Sequence, residues 1–125
     1  MKHYVVLGEL SDLNRYIGAL ARNRFVGGAI KKEMTEKVAM QVRNAEPITK
    51  KSIFQFTWYV KNKRKDPDNV CGAGAKFCMD GLVMAGILPN DTMEWVEGFV
   101  HKFKIDKENP RVEIKVWHDF LDHVE

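Results

Sequence analysis

The nine residues Ser52–Val60, which read SIFQFTWYV, decide the fold because apolar side chains recur at every second position. In an extended chain, alternate positions point to the same side of a sheet. One side of this segment carries Phe54, Phe56, Trp58 and Val60. A period of two with three aromatic residues predicts a β-strand with one face toward a core.

Three further segments have the composition of strands. Tyr4–Leu10 is rich in β-branched and aromatic residues, and both Met93–Ile105 and Arg111–Trp117 alternate apolar with polar side chains. The connection between the last two, DKENP at 106–110, is typical of a turn. These residues therefore predict a C-terminal hairpin.

Two segments have the composition of helices. Ile30–Ala45 repeats apolar residues at 30, 34, 38 and 42, which lie on one helical face, and Ala75–Ala85 is followed by Gly86 as a C-terminal cap. Residues 11–29, which read SDLNRYIGALARNRFVGGA, contain three arginines and a glycine pair and are expected to form a loop.

The resulting order, β-α-β-α-β-β, predicts an α+β fold with a mixed sheet and helices packed on one face. A length of 125 residues corresponds to one small domain, residues 1–125. No apolar run approaches the roughly 20 residues that cross a bilayer, so no membrane partner is expected. Two closely spaced cysteines, Cys71 and Cys78, are expected to be free thiols in a reducing cytoplasm.

The two halves of the chain differ in charge. Residues 1–65 contain 14 Lys and Arg against 5 Asp and Glu, a balance of +9, whereas residues 66–125 contain 6 against 12, a balance of −6. A basic half beside an acidic half suits a protein that binds a polyanion and holds a cation, although surface charges can also segregate by chance.

Four cations follow the aromatic strand within five positions: Lys61, Lys63, Arg64 and Lys65. Such a run contacts the phosphates of DNA or, alternatively, is a solvated strand end. Arg15, Arg22 and Arg24 of the expected loop would extend a phosphate-contacting surface.

Asp66 and Asp68, in DPDN at 66–69, are candidate ligands for Mg²⁺. Pro67 disfavours helical backbone at Asp66, and residues two apart in an extended chain point the same way. Two adjacent carboxylates repel unless a cation lies between them, and Mg²⁺ prefers carboxylate oxygens. The alternative is a turn in which Asp68 or Asn69 caps the next helix.

Two further charged positions lie beyond this pair. Lys76 and Asp80 are four residues apart on the expected helix and so share a face, where a surface ion pair would contribute a few tenths of a kcal/mol. Asp91 follows in an ILPND turn. A helix that packs back across the sheet would return Asp91 toward Asp66 and Asp68.

The sequence KDPDN at 65–69, followed by KFCMDGLVMAGILPND at 76–91, closely resembles the active-site region of the RusA-type Holliday-junction resolvases of bacteria and their prophages. The likeness extends to NRY at 14–16 and NPRVEIKV at 109–116, in the same order along most of the chain. It implies a Mg²⁺-dependent endonuclease that acts as a homodimer on four-way DNA junctions in the bacterial cytoplasm.

The resemblance also implies roles for individual residues. Asp66, Asp68 and Asp91 match the three aspartates that bind the metal, with Asp80 as an additional candidate, and Lys65 matches the basic residue before the first aspartate. Lys76 matches a catalytic lysine if a short insertion is allowed, because residues 70–75 make this spacing about four residues longer. Asn90 stands where an acid can precede the final aspartate.

Two other functions stay open at this point. One is a broader nuclease that cuts flaps or replication forks, and the other is a non-catalytic DNA-binding protein with a structural acidic cluster. GAGAK at 72–76 lacks the spacing and the ending of a phosphate-binding P-loop, and the four scattered histidines form no zinc motif. No organic cofactor is expected.

Overall fold

A computed structural model of the chain describes residues 1–10 and 13–118. The described strands are β1 (Lys2–Leu7), β2 (Ser52–Val60), β3 (Val96–Ile105) and β4 (Arg111–Trp117). The helices are α1 (Leu13–Arg22), α2 (Arg24–Val42) and α3 (Pro67–Met84). The predicted α+β class, the mixed sheet and the single helical layer are confirmed. None of these helices is both long enough and apolar enough to cross a bilayer.

The four strands form one sheet in the order β1-β4-β2-β3. β4 pairs antiparallel with both β1 and β2, while β3 pairs parallel with β2 through the α3 crossover. The predicted hairpin between β3 and β4 is therefore wrong. β4 has the side-chain pattern of a central strand, since Val112, Ile114 and Val116 are all buried, whereas β3 exposes Phe99 and Ile105 as an edge strand does.

The segment 106–110 leads the chain from β3 past the end of β2 to β4. The backbone N–H of Asp106 donates to the carbonyl of Val60 at 2.8 Å, and the N–H of Gly8 donates to the carbonyl of Pro110 at 2.9 Å. Arg111 stabilises this passage by donating to Asp106 and Glu113, each at 2.8 Å. Turn-forming residues are compatible with either connection, so composition alone predicts the wrong neighbour.

The segment 11–29 was expected to be a loop, but the described part of it is helical. α1 ends at Arg22, and Asn23 begins α2 by accepting a hydrogen bond from the N–H of Phe25 at 2.8 Å. Tyr16 packs edge-on against Phe77 of α3, with ring centroids 5.4 Å apart. An asparagine cap and apolar residues spaced three or four apart were the signals that outweighed the arginines and glycines.

The third helix begins eight residues earlier than Ala75, the predicted start, because Asp66 caps it and Pro67 occupies its first turn. Gly72 and Gly74 disfavour a helix by propensity, yet Gly74 has a packing role. A Cβ atom at Gly74 would lie 2.7 Å from Cη2 of Trp58, so only glycine allows α3 to approach the sheet this closely.

The core lies between the sheet and the helices. Phe54, Phe56 and Trp58 of β2 meet Val38 and Leu82 of the helical layer, together with the buried residues of β1 and β4. This confirms the predicted inward side of β2. At the β3 edge, the indole Nε1 of Trp58 donates to Nδ1 of His101 at 2.9 Å, and burial lowers the pKa of that imidazole.

Two glycines that contrast in packing offer a test of the helical layer. A Cβ at Gly81 would lie 2.5 Å from Cβ of Val38 and 3.1 Å from the Thr35 carbonyl, whereas a Cβ at Gly28 would meet no atom within 4 Å. We expect Gly81→Ala to lower the free energy of unfolding by about 1–2 kcal/mol, because overpacking exceeds the gain in helix propensity.

Gly28→Ala should instead raise the free energy of unfolding by about 0.5–1 kcal/mol. Denaturant unfolding of both variants measures the difference. Equal effects of the same sign would contradict the described contact between α2 and α3.

Candidate active site

Three strands end at one edge of the sheet, which we call the carboxyl edge. β1 and β2 both run antiparallel to β4 and β3 runs parallel to β2, so all three terminate on the same side. The residues that follow them are Gly8–Leu10, the basic run Lys61–Lys65 and Asp106. In open α/β sheets ligands bind beyond the carboxyl ends of the parallel strands, so a ligand site is expected at this edge.

Asp66 and Asp68 lie at the carboxyl edge, where α3 begins. Oδ1 of Asp66 accepts a hydrogen bond from the N–H of Asp68 at 3.3 Å, which makes Asp66 the N-cap. An acidic residue of DPDN does cap the helix, as the alternative predicted, but that residue is Asp66 and not Asp68 or Asn69. Asp68 has helical backbone, so the predicted extended arrangement of the two carboxylates is wrong. Both carboxylates are exposed at the positive end of the helix.

Cys71 lies one turn after Asp68 on α3. Burial and, to a lesser extent, the neighbouring charge of Asp68 raise the pKa of its thiol, so the group is a neutral thiol at neutral pH. Cys78 is fully buried and also free, as expected for the two cysteines.

Lys76 lies about two turns after Asp68 on α3 and contacts two carboxylates. Its Nζ is 3.0 Å from Oδ1 of Asp80 and 3.1 Å from Oδ2 of Asp91. The predicted pairing of Lys76 with Asp80 is confirmed. These two hydrogen bonds raise the pKa of the Lys76 ammonium above its usual range, and the bond to Asp80 has the larger effect.

Asp80 also meets a residue that the sequence analysis missed. Nζ of Lys31, on α2, lies 3.8 Å from Oδ2 of Asp80, so the carboxylate is held between two lysines. Only 21% of the Asp80 side chain is exposed, whereas about half of each lysine side chain is. Lys31 is 49 positions from Asp80 in sequence, so no local sequence pattern predicts their contact. The packing of α2 on α3 brings them together.

The candidate carboxylates therefore fall into two groups along α3. At 1.5 Å per residue, Lys76 lies about 12 Å along the helix axis from Asp68. α3 does pack back across the sheet, but it brings Asp91 to Lys76 and Asp80. Within residues 1–10 and 13–118, no three His, Cys, Asp or Glu side chains are grouped to hold one metal ion.

The donors at the start of α3 nevertheless suit Mg²⁺. This ion keeps several waters and is commonly bound by one or two carboxylates together with the phosphates of a substrate. Asp66 and Asp68 supply two exposed carboxylates, and the cations that would attract a phosphate precede them directly. Coordination by Asp91 or Asp80 stays a prediction.

The predicted phosphate-contacting residues lie on two parts of the surface. Lys61, Lys63, Arg64 and Lys65 are all exposed in the turn between β2 and α3, where Asn62 Oδ1 accepts from the N–H of Arg64 at 2.9 Å. Arg15, Arg22 and Arg24 are exposed on α1 and at the start of α2. Arg24 stacks over the ring of Phe25, with 5.2 Å from its guanidinium carbon to the ring centroid.

Two grooves adjoin Lys65 at the carboxyl edge. The smaller, of about 50 Å³, includes Glu9 and Arg111, and the larger, of about 210 Å³, includes Lys63 and Lys104. Glu9 and Lys104 were not among the predicted site residues. Their position near the ends of β1 and β3 was the available signal, but it requires knowing that these strands run parallel to β2.

Comparison of the sequence with models of known protein families finds no match, and comparison with curated proteins finds no similar sequence. The assignment of a function therefore depends on the residues and their geometry.

The pKa of Lys76 tests the described ion pairs. We expect Asp80→Asn to lower this pKa toward the ordinary lysine value, because it removes the hydrogen bond that contributes most, and Asp91→Asn to lower it by less. NMR titration of the Lys76 side chain measures both. Asp106→Asn, which removes a carboxylate bound to Arg111 instead, should leave the value unchanged; an unchanged pKa in Asp80→Asn would contradict the pairing.

Proposed function

We propose that this protein is a Mg²⁺-dependent endonuclease that cuts branched DNA, with the four-way junction as its preferred substrate. One arrangement carries the proposal: two exposed carboxylates at the start of α3 directly follow the basic run Lys61–Lys65. Anion-attracting and cation-attracting groups thus adjoin at the edge where parallel strands end. The resemblance of the 65–91 region to the RusA-type resolvases supports the same assignment.

Asp66 and Asp68 are the proposed holders of the metal. When bound, Mg²⁺ activates a water molecule and neutralises charge on the phosphoryl oxygens. The chain itself positions the phosphodiester through Lys61, Lys63, Arg64 and Lys65, which contact the DNA backbone without reading base sequence.

The resemblance assigns Lys76 to neutralise negative charge that develops during cleavage, and in this proposal its ammonium leaves Asp80 and Asp91 and turns toward Asp68, about 12 Å away along the helix axis. In the resting protein Asp80 and Asp91 hold its ammonium group in place, and Lys31 holds Asp80 in turn. Asp80, Asp91 and, through Asp80, Lys31 therefore hold Lys76 away from the proposed metal ligands until the substrate binds. Asp91 can join the metal ligands only if it exchanges its contact with Lys76 for one with the ion.

A junction contains two symmetry-related strands, so the proposal includes a homodimer with two copies of the site. Substrate DNA and a reducing environment for two free cysteines both correspond to a cytoplasmic location. The broader flap or fork nuclease and the non-catalytic DNA-binding protein are the two outcomes against which the proposal is tested.

The decisive experiment compares DNA cleavage by the wild-type protein and by the Asp68→Asn variant. Purified protein is incubated with a synthetic four-way junction and with matched duplex, flap and fork DNAs, with and without Mg²⁺. We expect paired, symmetric nicks in the junction that require Mg²⁺, and a loss of at least about 100-fold in Asp68→Asn, because even groups that only support a metal ligand contribute about 10–100-fold. Binding of the junction should be kept.

Glu108→Gln is the matched control, because it makes the same charge change at an exposed position of the carboxyl edge. If the Asp68→Asn variant cuts the junction as well as the wild-type protein does, the metal assignment is overturned. Equal cutting of flaps and forks would favour the broader nuclease, and tight junction binding without cleavage under any divalent metal would favour the binding protein.

The salt dependence of DNA binding tests the basic run. Replacing Lys63 and Arg64 together by Ala should weaken binding to any DNA and reduce the log–log salt slope by up to about 1.8, since each phosphate contact contributes about 0.9. Lys50→Ala with Lys51→Ala removes two exposed cations before the start of β2 and should change the slope little. An unchanged slope in the Lys63 and Arg64 variant would remove this run from the contact surface.

A further inference from the structure

The larger groove at the carboxyl edge has a cationic rim. Lys63 and Lys65 line it from the turn after β2. Lys104 also lines it, but alternation along β3 directs its side chain to the other face of the sheet, where its ammonium lies 6.0 Å from the centroid of the Tyr59 ring. The part of its wall that the structure describes contains no carboxylate, and neither Lys63 nor Lys65 forms an ion pair within residues 1–10 and 13–118. Two lysines beside one small space repel each other, and an anion bound between them relieves that repulsion.

The floor of the same groove is apolar. Phe103 and Ile105 of β3 contribute to it together with Pro67 at the start of α3. The side chains of Phe103 and Ile105 are 38% and 58% exposed, so they present apolar surface to solvent at the bottom of a cationic site. A phosphate alone would contact the rim and leave this floor exposed.

A nucleotide combines the two properties that the groove requires. Its phosphates suit the lysines, and its base has a flat apolar face that packs on aromatic or aliphatic side chains. The volume of about 210 Å³ is below the roughly 300–1,000 Å³ of pockets that enclose a whole drug-sized ligand, so it suits one planar group. Bases within a duplex are stacked on their neighbours, and only an unpaired base is free to enter.

We propose that this groove binds an unpaired nucleotide of the DNA substrate, with its base on Phe103 and Ile105 and its phosphates against Lys63 and Lys65. The inference deepens the proposed function and depends on it for the identity of the substrate. Lys65 and Pro67, the two neighbours of Asp66, both line the groove. A base bound there places the adjoining phosphodiester beside the proposed metal ligands, so the groove holds a base that leaves its pair at the branch point when the protein binds the junction.

The experiment measures base stacking separately from cleavage. Wild-type protein is mixed with Ca²⁺ in place of Mg²⁺ and with oligonucleotides that carry 2-aminopurine, either unpaired in a single strand or at a junction branch point, or paired within a duplex. We expect fluorescence quenching of the unpaired probes only. Phe103→Ala should weaken binding of the unpaired DNA by about 5- to 100-fold and change duplex binding less than two-fold.

Phe99→Ala is the matched control. Phe99 lies on the same side of β3, is 51% exposed and does not line the groove. Ile105→Ser provides a second probe of the floor at a more exposed position, so that the result does not depend on the folding of one variant, and circular dichroism checks each protein. Lys63→Gln should weaken binding of single-stranded DNA and leave the quenching of bound probe intact.

Three results would overturn the inference. Phe103→Ala could quench the unpaired probes as strongly as wild type, or Phe99→Ala could weaken binding of unpaired DNA as much as Phe103→Ala. Phe103→Ala could also weaken binding of duplex and single-stranded DNA by the same factor. A shift from dimer to monomer in Phe103→Ala and Ile105→Ser, with unchanged nucleotide binding, would instead assign the floor to a subunit interface. The two proposals fail separately, because quenching without any cleavage overturns only the nuclease, and cleavage without quenching overturns only the groove.

Discussion

The contact between Trp58 and Gly74 determines where α3 lies over the sheet. Because a glycine faces the indole, the helix approaches β2 at a distance that no larger residue allows. Every candidate group on α3 takes its position from that approach: Asp66 and Asp68 at the carboxyl edge, and Lys76 and Asp80 further along. The same indole donates to His101, so one side chain fixes the helix above and the edge strand beside it.

The features that sequence predicts well are those that depend on near neighbours in the chain. The period of two in Ser52–Val60 defines a strand and its buried side because each residue alternates regardless of which strand lies alongside. The pairing of Lys76 with Asp80 follows from helical spacing alone. Capping is also local, although the choice of Asp66 over Asp68 as the cap depends on where α3 begins. Glycines near that start disfavour a helix, and one of them, Gly74, is there because Trp58 leaves no room for a larger residue.

The features that sequence does not predict are those that depend on strand neighbours and helix packing. The contact of Asp91 with Lys76, the approach of Lys31 to Asp80 and the groove between Lys63 and Lys104 each join residues from different elements. The approach of Lys31 follows from the packing of α2 on α3, and the groove follows from β3 lying parallel to β2. Turn composition at 106–110 is compatible with a hairpin and with the observed connection, so it does not select between them.

The position of β4 also constrains the order in which the chain can fold. β1 pairs only with β4 among the described strands, and the residues that pair, such as Lys2 with Val116, are separated by almost the whole chain. During synthesis β1 therefore waits without a strand partner until Arg111–Trp117 has left the ribosome. Until then β2 has an open edge on the side that β4 will occupy, and contacts so distant in sequence form slowly. The sheet is therefore completed only when β4 inserts between β1 and β2 and covers an edge of each.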